Sequence, residues 1–337
     1  MHQLTLPPGL STALAAHPTI QQWLRKVLIC DLCASTVEAY AYALQDYLRF
    51  CEPRKIDYIA ATEADVLRYL ANLKKRPIVE GAIVHRVGLS SATRHKYWEA
   101  LKMYYRHLVK AGIRDTLPLT QDEHTLLNRH GNPRRGVVQV ERKLTWIPTH
   151  EEWHHFLNCM RGESLRNCLM LALSYECALR KNELCTLQVT DIVGTLLTLR
   201  AKKTKMKRDR RSQFSTRTRQ LLDLYLKTRP HISGRGGETL FVSEATQNRG
   251  QPITDSAWRK VIDRVAERAE LPRFTPHTIR RLSANHFADQ GYSPERVSRH
   301  LGHFNKNSTG RYRQQMPEQL LVGFARVIGE TIVPRPQ

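Results

Sequence analysis

The sequence predicts a mainly α protein with a small β-sheet, built as an N-terminal helical domain and a C-terminal α+β domain. Three observations carry this reading. The chain has 337 residues, more than one hydrophobic core usually holds. Its first third is a series of capped segments with apolar residues at helical spacing. A turn-rich stretch then precedes a second set of helices that brackets one hairpin pattern.

In the first domain, residues 1–115, Ser35-Thr36-Val37-Glu38 reads as a capping box. It opens a helix in which Tyr40, Leu44, Tyr47 and Leu48 recur at helical spacing. Thr62-Glu63-Ala64-Asp65 starts a second helix, stopped by Pro77, and Ser90-Ser91 a third, stopped by Gly112. The third has an apolar stripe of Tyr97, Leu101, Tyr104, Tyr105 and Leu108. Its basic residues Arg94, Lys96, Lys102, Arg106 and Lys110 suit a solvated face or a face against phosphates equally. Residues 116–145 have weak periodicity and many turn formers, and read as a linker.

The second domain, residues 146–337, opens at Pro148-Thr149. Residues 163–187 read as one buried helix around LMLALSYECAL, and 195–200 and 211–215 as the strands of a hairpin. From Arg200 through Arg211 there are four Lys and four Arg against one Asp, the composition of a solvated basic loop or of a phosphate-contacting one. Thr275 and Pro276 are N-cap and N1 of a helix running to Gln290, with Gly291 beyond it. Ser293-Pro294 starts a short helix that ends at Gly302, and Asn307 or Ser308 caps a further turn carrying Tyr312. Residues 318–330, EQLLVGFARVIGE, form an amphipathic tail helix.

Lys and Arg number 53 against 31 Asp and Glu, a net charge of +22. Such an excess points to a polyanionic partner, nucleic acid first and an anionic membrane surface second. The N-terminus lacks the basic region of a signal peptide, and no apolar run reaches the roughly 18 residues of a membrane span. A cytoplasmic protein is expected. The seven cysteines are scattered, and Cys30-Asp-Leu-Cys33 has zinc-like spacing without a second pair to complete a site. All seven are expected to be reduced and buried.

Four short pieces carry chemistry: Arg180 with Glu183 three residues on, the Lys-rich hairpin, His277-Thr278-Ile279-Arg280, and Leu301-Gly302-His303 followed nine residues later by Tyr312. In this order they resemble the tyrosine site-specific recombinases, the phage-type integrase family that includes Cre, the Xer proteins, lambda integrase and the integron integrases. The order and the last spacings carry the resemblance more than any single piece. It implies a helical core-binding domain that clamps DNA and a catalytic domain that cuts it. It further implies double-stranded DNA sites as partners, a homotetramer exchanging C-terminal tails, a Holliday junction, and service to a bacterial mobile element.

The residue chemistry fits. A metal-free phosphodiester site needs fixed cations at the non-bridging oxygens, and guanidiniums bind phosphate bidentately. Arg180 and Arg280 take that role by electrostatics. His277 shares a helix face with Arg280 and assists proton movement from Tyr312, the nucleophile that forms a 3′-phosphotyrosine. His303 contacts the phosphate or supports the tyrosine helix, and Glu183 orients Arg180. A hairpin lysine protonates the 5′-oxygen. Family members carry it in a Gly-Lys-Gly or Lys-Thr-Gly turn, whereas this chain reads Lys202-Lys203-Thr204-Lys205. Lys203 is the choice, with Lys202 and Lys205 as alternatives. Lys181-Asn182 also departs from the family's apolar residue and Ser. No metal or nucleotide cofactor is implied. The competing readings are a type IB topoisomerase-like enzyme, a non-catalytic DNA-binding protein of the same fold, and more remotely a zinc peptidase. The last rests on His150-Glu151-Glu152-Trp153-His154, an HExxH match whose first turn is expected to be polar and exposed.

Overall fold

The computed structural model describes residues 6–30, 32–80, 83–119, 138, 146–200, 209–229 and 238–302. The chain divides into two compact units, Met1–Leu144 and Thr145–Gln337. Both are mainly helical, and each has its own buried core.

The first unit contains α1 (Pro8–Leu14), α2 (Pro18–Ile29), α3 (Ala34–Cys51), α4 (Glu63–Lys75), strands β1 (Pro77–Glu80) and β2 (Ile83–Val87), and α5 (Ser91–Lys110). Its core is aromatic, with Trp23, Tyr47, Tyr69, Trp98, Tyr104 and Tyr105 buried among Leu44, Leu73, Leu101 and Leu108. Buried phenols need partners. The Tyr47 and Tyr105 hydroxyls lie 2.9 Å apart, and Tyr105 donates to the Tyr58 carbonyl at 2.7 Å.

Thr62 and Asp65 form the capping box of α4, and Ser90 caps α5. The α3 capping box does not form. That helix starts at Ala34, so Ser35 and Thr36 lie inside its first turn and hydrogen-bond the Cys33 thiol instead. Pro77 stops α4 as expected but begins a hairpin that the sequence reading missed, with Pro77 opposite Val87. Gly88 leaves that hairpin at φ +76°, and a Cβ there would stand 2.1 Å from the Lys74 carbonyl oxygen, so only glycine fits.

The second unit contains α6 (His150–Met160), α7 (Leu165–Glu176), α8 (Lys181–Cys185), strands β3 (Ile192–Val193), β4 (Leu196–Leu199) and β5 (Arg210–Gln213), then α9 (Thr216–Thr228), α10 (Asp255–Arg268), α11 (Pro276–Asp289) and α12 (Pro294–His300). The strands form one antiparallel sheet in the order β3-β4-β5. α7 is buried on every side from Arg166 to Glu176, as befits a helix at the centre of a domain. Trp153 of α6 stacks on Phe156, Tyr175 and Phe274. The buried Glu176 carboxylate accepts from the Ser215 amide at 2.7 Å, the Ser215 hydroxyl at 2.9 Å and the Thr218 hydroxyl at 2.7 Å, which fixes the start of α9.

Three further expectations are corrected. The single helix over 163–187 is two, α7 and α8, broken at Ala178. Cys30 and Cys33 are exposed while Cys51, Cys168, Cys177 and Cys185 are buried, because the CxxC pair falls between α2 and α3 instead of inside a helix. Lys102 leaves the basic face of α5; it is buried, with Nζ 2.6 Å from Glu99. Among the described residues no helix is long and apolar enough to cross a membrane.

Candidate active site

The site begins where α7 stops. Ala178 takes a left-handed conformation at φ +46°. The Leu179 amide donates to the Ser174 carbonyl at 3.1 Å and the Ala178 amide to the Tyr175 carbonyl at 3.3 Å, the two bonds of a Schellman turn. Glycine usually occupies this position, and a residue with a Cβ pays about 1–2 kcal/mol. The turn leaves the Cys177 and Ala178 carbonyls to accept from guanidiniums on other elements.

Arg180 is the N-cap residue of α8, and Glu183 reaches back to it. The Arg180 amide donates to Glu183 Oε2 at 2.9 Å and its Nη1 to Oε1 at 2.6 Å. The Glu183 side chain is 1% exposed and that of Arg180 is 23% exposed, so the carboxylate is sealed in while the guanidinium keeps an open face. Lys181, where the chain departs from the family pattern, lies 3.4 Å from Asp255 at the start of α10.

Arg280 is buried on α11, behind the Thr275 N-cap. Its Nη1 donates to the Ala178 carbonyl and its Nη2 to the Leu301 carbonyl. Burial, with repulsion from Arg180 and Arg210, pulls its proton affinity down to about 9 against the attraction of Glu183. It therefore remains a cation at neutral pH. His277, one turn earlier, is exposed. Partial desolvation and the charges of Arg281, Arg280 and Arg180 lower its proton affinity, which keeps the imidazole neutral at pH 7.

Arg210, the first residue of β5, was not singled out from the sequence. Its Nη2 lies 3.1 Å from Glu183 Oε2, its Nη1 donates to the Cys177 carbonyl at 3.1 Å, and the same Nη1 donates to the His300 carbonyl. Composition hides it within the basic run 200–211. The available signal was the two-residue period of a strand, since Arg210 alternates in phase with Ser212 and Phe214, both buried. A charge on that inward face must be paired. His300 is also buried, 3.0 Å from Ser283 Oγ, and burial beside Arg210 and Arg280 holds its proton affinity down to about 3.

Arg180, Arg210, Arg280, His277 and Glu183 thus form one electrostatic cluster. Three guanidiniums face one carboxylate, and the imidazole adds no charge, so positive charge remains to be met by an anion. Lys203, His303 and Tyr312 lie outside the described residues, as do Lys202, Lys205 and the tail 318–330. His150 and His154 bring their Nε2 atoms within 2.8 Å on α6. Glu152 of the same motif is engaged in a capping box with Thr149. Among the described residues no group of three or more His, Cys, Asp or Glu is placed to hold a metal ion.

Known proteins agree with this architecture. The phage integrase family profile matches residues 148–319, and the profile of the phage integrase N-terminal SAM-like domain matches residues 20–115. Tyrosine recombinase XerC of Chromohalobacter salexigens is 26% identical over 298 residues, covering 88% of this chain and 90% of that protein. Tyrosine recombinase XerD of Halalkalibacterium halodurans is 24% identical over 293 residues, covering 82% and 86%. The fold matches the Tn1549 transposon integrase in complex with a circular intermediate DNA, with a TM-score of 0.64, 15% identity and 93% and 98% coverage. It also matches a lambda integrase tetramer bound to a Holliday junction, with a TM-score of 0.61, 16% identity and 93% and 85% coverage. The fold and profiles define a DNA strand-breaking and rejoining enzyme that works through a phosphotyrosine intermediate. The chain belongs to the phage integrase family, the tyrosine recombinases.

Proposed function

We propose that this enzyme is a site-specific recombinase in which Tyr312 attacks a scissile DNA phosphate. The observation that carries this reading is the convergence of Arg180 and Arg280, a hundred residues apart in sequence, on the strained end of α7 with charge to spare. Fixed donors aimed at developing negative charge supply much of the rate of such reactions. The two guanidiniums hold the non-bridging oxygens, and Glu183 keeps Arg180 aimed. The Tyr312 oxygen bonds to phosphorus as its proton passes toward neutral His277. The bond from phosphorus to the 5′-oxygen breaks, and that oxygen takes a proton from Lys203 or from one of its neighbours, Lys202 and Lys205. The 3′-phosphotyrosine conserves the bond energy, so a 5′-hydroxyl can reverse the step and rejoin the strand. His303 supports the phosphate or the tyrosine segment.

At a coarser scale, residues 1–115 clamp double-stranded DNA and 146–337 form the catalytic domain, joined by the linker 116–145. Four protomers pair two sites, swap tail helices 318–330 and exchange strands through a Holliday junction, in a bacterial cytoplasm and in the service of a mobile element. The lambda integrase tetramer bound to a Holliday junction supports this assembly by fold. A type IB topoisomerase-like enzyme would instead relax supercoiled DNA as a monomer without paired sites.

The test is a nicked suicide substrate carrying the element's own ends. The wild-type chain gives a covalent adduct mapped to Tyr312, whereas Tyr312→Phe gives none and binds DNA nearly as well. An adduct trapped by Tyr312→Phe would remove the assignment.

A further inference from the structure

We propose that Arg210 is a positioning residue for strand cleavage, locking Glu183 and the end of α12 to the strained end of α7 so that Arg180 meets the phosphate in register. Its side chain is 10% exposed, and it has two jobs. On one side it donates to the Glu183 oxygen that also accepts the Arg180 amide, so the carboxylate that aims Arg180 is itself held from β5. On the other it joins the Cys177 and His300 carbonyls, which belong to elements more than a hundred residues apart in sequence. Arg280 makes a parallel bridge one residue further along both segments, from Ala178 to Leu301. Two guanidiniums therefore stitch the same two chain ends together, one from β5 and one from α11.

Gly302 shows how closely this joint is packed. It sits at φ +60°, and a Cβ there would stand 2.9 Å from Arg210 Cδ. The glycine of the Leu-Gly-His segment is thus required by backbone conformation and by the approach of this arginine. Arg210 Nε, in contrast, is buried without a hydrogen-bond partner among the described residues. An unmade buried bond costs stability, which fits a side chain whose placement is set by the joint it holds.

The inference rests on the phosphate-binding role given above to Arg180, and the test separates the two. Arg210→Ala leaves Glu183 and two carbonyls short of a buried donor, so Arg210→Lys is the decisive variant: it keeps the charge and loses the fork that reaches three acceptors. Adduct formation is measured on a nicked DNA with an ordinary scissile phosphate and on one with a neutral methylphosphonate there. Arg210→Lys should bind DNA as the wild type does and lose about 100-fold in cleavage of the phosphate. It should recover most of that loss on the methylphosphonate, where aimed cations matter little, as Arg180→Ala does in parallel. The double variant should cleave the phosphate no more slowly than Arg180→Ala alone. Wild-type-like cleavage by Arg210→Lys, or an equal loss on both substrates, overturns the positioning role. If the wild type forms no adduct, or Arg180→Ala shows no gain on the methylphosphonate, the phosphate-binding reading fails instead.

Discussion

A buried guanidinium must find its acceptors inside the protein, and Arg280 finds them in two main-chain carbonyls. Carbonyls satisfy its donors without cancelling its charge, so the cation stays available to an anion. The same field acts on both neighbouring histidines. For exposed His277 it means a neutral imidazole in the DNA-free enzyme. The second-order rate constant for adduct formation, which reports ionisations of the free enzyme, should therefore rise with pH along a limb below about pH 6.5 and level off above it. Arg281→Ala should move that limb upward, since Arg281 is the largest charge acting on His277; a limb unmoved by it would contradict the electrostatic account. Buried His300 instead governs stability. The unfolded chain takes up a proton near about pH 6.5, whereas the fold resists to about 3. Its contribution is complete above the unfolded value and is lost as pH falls from there toward 3, because the unfolded state then binds the extra proton. Between pH 7 and 5 the wild type should lose about 2 kcal/mol more than His300→Gln in urea unfolding; equal losses would show that His300 is not held neutral. Arg180, His277 and Arg280 were legible in the sequence because spacing marks them. Arg210 was not, because the second hairpin strand was read as starting at 211, which left Arg210 in the basic loop, whereas β5 starts at Arg210 itself.

Elements were legible where a cap or a proline punctuates them, as at Thr62, Ser90, Thr149, Thr275 and Ser293. They were missed at α9 and α10 despite the Ser215 and Thr254 caps, and where the backbone departs from the rule for its residue type. The strongest case is Ala178, where local chemistry favours a continued helix and the turn prevails. The gain is tertiary: two arginines bind the carbonyls that the turn frees. Ala178→Gly should relieve the left-handed strain and stabilise the second unit by about 1 kcal/mol, read as a higher urea midpoint with unchanged slope. A lower midpoint would mean that the buried methyl group contributes more than its backbone strain costs. The hairpin β1–β2 escaped notice for a related reason: Pro77 ends a helix by rule, and nothing in four residues distinguishes a strand from a loop.

At the scale of the molecule, net charge dominates. With +22 on 337 residues, association with DNA should be driven by release of counterions. A plot of log affinity against log salt should be linear, with a slope of about −0.9 per phosphate contact; salt-independent binding would contradict the role given to the basic surface. The two-unit mainly α plan followed from length and punctuation. How one unit meets the other did not, since no local pattern encodes it. The bridges of the site have a further consequence for the chain as it is made. The Ala178 carbonyl and its partner Arg280 are 102 residues apart, and translation covers such a stretch in about 5–20 s. During that interval the end of α7 and Arg180 have emerged from the ribosome, but the helix that closes the joint has not been synthesised. A nascent or prematurely terminated chain that stops short of α11 therefore lacks the closed joint, and the site for breaking and rejoining strands is assembled only after α11 and α12 have been made.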